Sequence, residues 1–414
     1  MRDVETYIDN IQYTAGCKNI ITVEHRSNNP KRDYLFCNKV QGKHIPAKPS
    51  DVFNMIHNLV TKVIGHSLDD KKVVVVGFAE TATAIGHILY DKLPTSVYYL
   101  QTTREDCSPM KKLIEFQEEH SHATEQFLFG DISEIPDFDY VLFVDDEIST
   151  GKTILNFIRE FSKLKNGVGF GVASICNWQN EEDAKKFKSN NIDVFALITG
   201  QIRDTNIKMN ITNKVVESTS NYANENGVVT DDQIKAVNYV STSYGYFPET
   251  LFNRERCGVN DVIHHDYAGI ANKLEREAAE FCEIHDLAGK KILVLGVEEC
   301  MYIPLRFALA LEQHGANVRF HAPSRSSIDI IKSVDGSGNA KDEVYNKLVN
   351  KHKLHSLYDV NRVTYVYNLD KYDKIIIMSD KNTENTEFIK DIAASLLNFG
   401  NKIEDIVTWY YVEK

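Results

Sequence analysis

The stretch Tyr140-Val-Leu-Phe-Val-Asp-Asp-Glu-Ile-Ser-Thr-Gly-Lys-Thr153 decides the fold. Val141 to Val144 are consecutive apolar residues, the mark of a parallel strand buried on both faces. Asp145 and Asp146 follow at its end. Ser149, Thr150 and Gly151 make a short polar turn, and Ile154, Leu155, Ile158, Phe161 and Leu164 then fall at helical spacing. The pattern is strand, acidic turn, helix. A helix N-terminus presents amide N–H groups with no partner inside the helix, and a turn of small residues lets an anion reach them. The expectation is a phosphate cradle from Ser149, Thr150, Gly151, Lys152 and Thr153, beside two carboxylates suited to sugar hydroxyls. Gly151 is expected to be glycine because a side chain would fill the anion's approach.

Gly151-Lys152-Thr153 is not the end of an ATP-binding P-loop, since that motif requires glycine at position 146, which is Asp. Two Asp at a strand end also suit an Mg2+ site of a phosphotransferase or receiver-like domain, and that reading stays open beside the sugar-binding one.

Val144-Asp-Asp-Glu-Ile-Ser-Thr-Gly151 resembles the ribose-5-phosphate signature of type I phosphoribosyltransferases. A wider resemblance is to the two-domain phosphoribosyltransferase-like proteins found beside bacterial tellurium-resistance genes. It is carried by Asn29-Pro30-Lys31-Arg32, Lys39-Val40-Gln41-Gly42-Lys43-His44-Ile45-Pro46, Gly77-Phe-Ala-Glu-Thr-Ala-Thr-Ala-Ile-Gly86 and Ser324-Arg325-Ser326, and covers most of the chain. It implies that Asp145 and Asp146 meet the ribose hydroxyls of phosphoribosyl pyrophosphate, directly or through Mg2+. The Thr150-Gly151 turn holds the 5′-phosphate. The loop with Gly77, Ala79, Glu80 and Thr81 cradles the pyrophosphate. Glu80 is out of place beside a dianion; binding Mg2+, binding an amine on the acceptor and pointing away are its three readings. The expected reaction is Mg2+-dependent transfer of ribose 5-phosphate to a small-molecule acceptor that no residue pattern identifies. A non-catalytic nucleotide or phosphoribosyl sensor, and a hydrolase or phosphorylase of a nucleoside-like metabolite, are the competing functions. A homodimer is the expected assembly.

A chain of 414 residues is long for one domain, and 43% apolar content supports sizeable cores. The formal charge of −12 argues against nucleic acid as the main partner. The seven cysteines show no paired spacing and read as reduced thiols of a cytoplasmic protein. The N-terminus lacks an apolar signal region, and no run approaches the roughly 18 apolar residues of a membrane span.

Three segments are expected: an α/β phosphoribosyltransferase-like domain with a parallel sheet over 1–215, a connection over 216–262, and a second α/β domain over 263–414. Near the N-terminus, Arg32, Lys39, Lys43 and His44 gather around a short strand, Tyr34 to Cys37, either as solvated surface charge or as a basic hood. Val73 to Val76 form a second buried strand. Ser96 to Leu100 form a third, and Arg104 just beyond it is the candidate pyrophosphate clamp, with a salt bridge to Glu105 or Asp106 as the alternative. Residues 105–130 read as irregular, and the resemblance makes them a closing hood. His120 and His122 there are candidates for the pyrophosphate or acceptor, or solvated histidines.

The order of parts then repeats in weakened form. Val73–Gly77 with Glu80 has an echo in Ile292–Gly296 with Glu298 and Glu299. The strand before Arg104 has one in Val318 to Ser324-Arg325. The strand before Asp145 has one in Asp373 to Ser379, where the acidic pair has become Ser379-Asp380 and Thr150-Gly151 has no counterpart. Chance likeness of α/β units is the alternative. Glu298, Glu299, Ser324, Arg325 and Ser326, with His355, Tyr358 and Arg362 behind them, read as an acceptor site, a second active site or a domain interface.

Overall fold

The computed structural model describes the chain except residues 1–3, 27–32, 66–67, 69, 106–110, 118–124, 204–213, 218–228, 243–266, 335–339, 345–347 and 412–414. Arg32, His120 and His122 lie outside the described residues. Two parallel-rich sheets organise the rest, so the fold is α/β as expected.

The larger sheet runs Ile8–Tyr13, Ile192–Ile202, Gly169–Asn177, Tyr140–Ile148, Val73–Gly77, Ser96–Thr103, Glu125–Phe129 and Lys112–Gln117. Its five central strands are parallel. Taken in chain order they stand 2-1-3-4-5, a doubly wound sheet whose order reverses between Val73–Gly77 and Tyr140–Ile148. The central strands are apolar without alternation because helices cover both faces; Val73 to Val76 and Val141 to Val144 are fully buried.

The segment 105–130 is more regular than its sequence predicts. Lys112–Gln117 and Glu125–Phe129 pair antiparallel and extend the sheet edge. Ile114 and Phe116 are buried while Glu115 between them is exposed, an alternation too short to stand out in the sequence.

The second sheet runs Asn238–Thr242, Ile406–Tyr411, Lys374–Ser379, Lys291–Gly296 and Asn317–His321, all parallel. Its last four strands stand in the same 2-1-3-4 order as the first sheet, an order common among doubly wound sheets. The Asn238–Thr242 strand fills the fifth place. The second sheet therefore recruits residues from the stretch assigned to the connection, and Lys214–Glu217 likewise pairs with Ile330–Val334 of the second half.

A common apolar layer joins the halves. Val52, Ile56, Leu59, Ile85 and Leu89 belong to one cluster with Leu274, Tyr302, Phe307 and Leu311. His87 stacks on Tyr302 at 5.2 Å, Arg306 meets Asp91 at 3.6 Å, and Glu312 accepts from both the amide and the hydroxyl of Ser50 at 2.8 Å. Ala47 forms an antiparallel bridge with Phe320. Just before it, Gly42 has φ +78°, and a Cβ there would lie 2.5 Å from the Phe320 ring. Glycine lets the 42–47 segment lie flat on the second domain. Among the described residues no helix is long and apolar enough to cross a membrane.

Candidate active site

The strand Tyr140–Ile148 runs further than its apolar core suggests, carrying Asp145, Asp146 and Glu147 as its last turns of pleat. The ladder to Gly169–Asn177 continues through these residues, so the acidic pair rides on rigid sheet. The Asp146 amide donates to Asp145 Oδ1 at 2.8 Å. Burial and the neighbouring Glu147 push the Asp146 carboxyl up to about 6.

The turn that follows ends at Gly151, whose φ of +72° starts the helix Lys152–Phe161 without a side-chain cap. The Lys152 amide meets Thr150 Oγ1 only at 3.4 Å. Ser149, Thr150 and Thr153 are half-buried and Lys152 is exposed. The reason for glycine differs from the one the sequence suggests. A Cβ at Gly151 would lie 2.4 Å from Phe187 Cε2 and 2.9 Å from Gln179 Nε2. It would point into the packing behind the turn, so close approach of Phe187 and the left-handed backbone demand glycine there.

Around the loop after Val73–Gly77 the structure brings together residues from both domains. The amides of Phe78 and Ala79 are committed inward, to Val144 O at 2.9 Å and Thr102 Oγ1 at 2.8 Å, so the Ala79 amide is not directed at a ligand as expected. A Cβ on Gly77 would meet Tyr99 Oη at 2.3 Å. Gln41 Nε2 donates to the Thr81 carbonyl at 2.6 Å. Glu80 neither points away nor stands alone. Lys43 Nζ lies 3.2 Å from one carboxylate oxygen; Arg325 Nε lies 3.3 Å and Arg104 Nη1 3.8 Å from the other. The Arg325 amide also donates to Glu80 at 3.0 Å. Burial alone would raise the Glu80 pKa; Lys43, Arg325 and Arg104 outweigh it and hold the carboxyl down at about 2.

Lys43 is fully buried, which rules out solvated surface charge, and also donates to the Glu298 carbonyl at 2.9 Å. His44 Nε2 pairs with Ser324 Oγ at 3.1 Å, and burial holds its pKa down to about 3, so it is neutral. Lys39 is half-buried. Arg104 faces Glu80 rather than Glu105, and Asp106 lies outside the described residues.

The second domain supplies the other half of this charge cluster. Glu298, left-handed at φ +54°, accepts from Ser356 Oγ at 2.7 Å and from Arg362 Nη2 at 3.1 Å. Glu299 meets Arg325 at 3.3 Å and Thr103 Oγ1 at 3.2 Å. Arg325 and Arg362 both reach Glu105, at 2.7 Å each. The Ser326 amide donates to Ser324 Oγ at 3.1 Å. His355 is apart from the cluster, paired with Asp391 at 2.7 Å. Sequence reasoning missed Glu105 as a bridge between domains, and also the buried tie in which Asp329 meets His25 at 2.7 Å and Lys351 at 3.7 Å. Neither has a local motif; each depends on partners far away in sequence.

Several solved structures are similar to part of the chain. An adenine phosphoribosyltransferase from Rhodothermus marinus is 16% identical, covering 44% of this chain and 96% of that one, with a TM-score of 0.34. The adenine phosphoribosyltransferase of Trypanosoma brucei, solved with AMP, pyrophosphate and ribose-5-phosphate, is 14% identical over 49% of this chain and 86% of that one (TM-score 0.33). An orotate phosphoribosyltransferase from Aeropyrum pernix is 15% identical over 44% and 88% (TM-score 0.29). No curated protein matches the chain. Residues 20–201 match the PRTase_2 family, described as phosphoribosyl transferase, and residues 255–396 match the TRSP domain, described as the C terminus to PRTase_2. The chain is therefore a two-domain enzyme of the phosphoribosyltransferase class, a PRTase_2 domain followed by its TRSP domain.

Proposed function

We propose that the chain transfers ribose 5-phosphate from phosphoribosyl pyrophosphate to a small-molecule acceptor, with Mg2+ as cofactor. One observation carries the reading. A central strand delivers Asp145 and Asp146 directly before a left-handed Gly151 and a helix start that no side chain caps. In this reading the two carboxylates accept from ribose hydroxyls. The first-turn amides, with Ser149, Thr150 and Thr153, take the 5′-phosphate. Arg104 and the Glu80 loop border the diphosphate.

Among the described residues no group of three or more His, Cys, Asp or Glu is arranged to hold a metal ion. Two carboxylates nevertheless suit Mg2+, which keeps several waters and takes one or two carboxylates together with substrate phosphates. Burial and, after it, the negative charge of Glu147 raise the Asp146 carboxyl, and a cation bound there would offset both. When bound, Mg2+ neutralises charge on the diphosphate. The chain's own work is positioning and charge stabilisation. The C1′–O bond to diphosphate breaks, the acceptor's electron pair forms the new bond at C1′, and the diphosphate leaves with the bonding electrons.

The test is pyrophosphate release from phosphoribosyl pyrophosphate with a panel of amine, base and hydroxyl acceptors. Release that requires both Mg2+ and an acceptor, and is lost in Asp146→Asn, is the expected outcome. Binding without release for any acceptor would make the protein a sensor, and release without an acceptor would make it a hydrolase.

A further inference from the structure

Two guanidinium groups from the second domain converge on one oxygen of the first. Arg325 Nη2 and Arg362 Nη1 each lie 2.7 Å from Oε1 of Glu105. Glu105 follows Arg104 in the loop after Ser96–Thr103. Nε of Arg362 is buried and makes no hydrogen bond within the protein, so that fork keeps a donor in hand, while Nε of Arg325 lies 3.3 Å from Glu80. The cluster is also graded in depth. The side chains of Lys43, Glu298 and Glu299 are at most 3% exposed, whereas those of Arg104, Glu105, Arg325 and Arg362 are 15–19% exposed. Its solvent side thus carries three arginines and one carboxylate, and that carboxylate is Glu105.

We propose that Arg325 and Arg362, with Arg104 beside them, form a seat for a phosphate-type anion, and that Glu105 is the resident anion which the ligand displaces. An arginine fork matches phosphate oxygens as it matches a carboxylate, so the point where two forks meet Glu105 Oε1 marks a phosphoryl oxygen position. A charge network that merely fixes two domains is the simpler account. Such a lock is best shielded from water, yet here the bridging carboxylate sits at the rim while Glu298 and Glu299 lie beneath it. The seat deepens the proposed function and rests on it only for the source of the anion, which is either the donor's diphosphate or a phosphate on the acceptor.

Inorganic pyrophosphate, titrated calorimetrically into the full-length protein, is the probe. Glu105→Gln keeps the shape and removes the competing charge. It should bind pyrophosphate about tenfold more tightly, a difference of about 1.4 kcal/mol. Arg362→Met should bind at least about tenfold more weakly. If that variant does not fold, Arg362→Lys, which keeps the charge and loses the fork, should still bind more weakly. Ribose 5-phosphate affinity should stay unchanged in all of them. A folded Glu105→Gln protein that binds pyrophosphate no better than the parent overturns the seat. Pyrophosphate binding without ribose 5-phosphate binding leaves the seat standing and removes the ribose site; ribose 5-phosphate binding alone, in parent and Glu105→Gln alike, does the reverse. Competition between phosphoribosyl pyrophosphate and pyrophosphate assigns the seat to the donor's diphosphate, and simultaneous binding assigns it to an acceptor phosphate.

Discussion

The two sheets share a strand order and differ at the turns where that order reverses. In the first, Tyr140–Ile148 ends on Asp145 and Asp146, and the next helix begins at a left-handed glycine with no side-chain cap. In the second, Lys374–Ser379 ends on a buried serine, Asp380 is engaged by the Tyr358 hydroxyl, and the next helix is capped by Thr386, whose side chain accepts from the Ile389 amide. The Ile389 amide thus meets its cap at 3.4 Å, as far as the Lys152 amide lies from Thr150 Oγ1 in the first turn. Beyond the strand ends of the second sheet Glu299 and Arg325 instead carry charge to the first domain, joined by Arg362 from the hairpin of Lys351–His355 and Val363–Tyr367. Two sheets of one strand order thus differ in what their strand ends carry: an acidic pair and a left-handed glycine in the first, charges turned toward Glu80, Thr103 and Glu105 in the second domain.

Lys43 tests that difference with the largest effect. It is wholly buried and bridges Glu80 to the Glu298 carbonyl. Lys43→Met leaves Glu80 buried with one cation fewer, and should cost about 3–5 kcal/mol, read by denaturant unfolding. A variant as stable as the parent would mean that the domains are joined by their apolar layer alone. Acid should loosen the same junction. His44 and His321 are held down to about 3 and about 4 by burial, and Glu80 to about 2. An unfolded chain binds protons at these groups before the folded one does, the histidines from about pH 6.5 and the carboxyl from about 4.3. Stability therefore falls as pH drops from about 6.5.

The acidic pair comes next. Asp146→Asn should weaken ribose 5-phosphate binding by about 1.5–3 kcal/mol, the range for a hydrogen bond to a charged group, whereas Asp380→Asn should leave it unchanged. Equal losses in the two variants would show that both crevices bind the ligand. Because burial and Glu147 raise the Asp146 carboxyl to about 6, the ionised acceptor is present above that value. Parent affinity should then decline as pH falls through about 6, and this dependence should weaken in Asp146→Asn to that of the ligand's own phosphate, whose second pKa is about 6.

Much of the scaffold was legible because it is local. Runs such as Val73 to Val76 announce buried strands, and the acids and small residues of the first turn lie within seven positions of each other. What escaped was the meeting of distant parts. Glu80 and the Arg325 amide that donates to it are 245 positions apart, so nothing near Glu80 tells which cations will surround it. The same holds for Gly151. Its composition marks a turn, but the ring that forbids a Cβ belongs to Phe187, on the helix Glu181–Ser189.

Gly151→Ala turns that correction into a measurement. The left-handed conformation costs a non-glycine residue about 1–2 kcal/mol, and the clash with Phe187 adds to it. The turn should deform, so stability and ribose 5-phosphate affinity fall together. Pairing the change with Phe187→Leu should restore part of both. If only affinity fell, with stability intact, the added carbon would be facing the ligand after all.

The smallest effect belongs to Thr386, the position where the second sheet closes its own turn. Its hydroxyl meets the Ile389 amide at 3.4 Å and donates to the Thr383 carbonyl at 2.8 Å. Thr386→Val keeps the shape and removes both contacts. Loss of an N-cap costs about 1 kcal/mol, so the midpoint of thermal unfolding should drop by a few degrees. Ribose 5-phosphate and pyrophosphate affinities should not move, because this turn holds no ligand. An uncapped helix start is also what the first domain offers an anion. If Thr386→Val instead gained phosphate binding, measured by titration with inorganic phosphate, then a single threonine would separate the two turns, and the missing acidic pair would matter less than the filled cap.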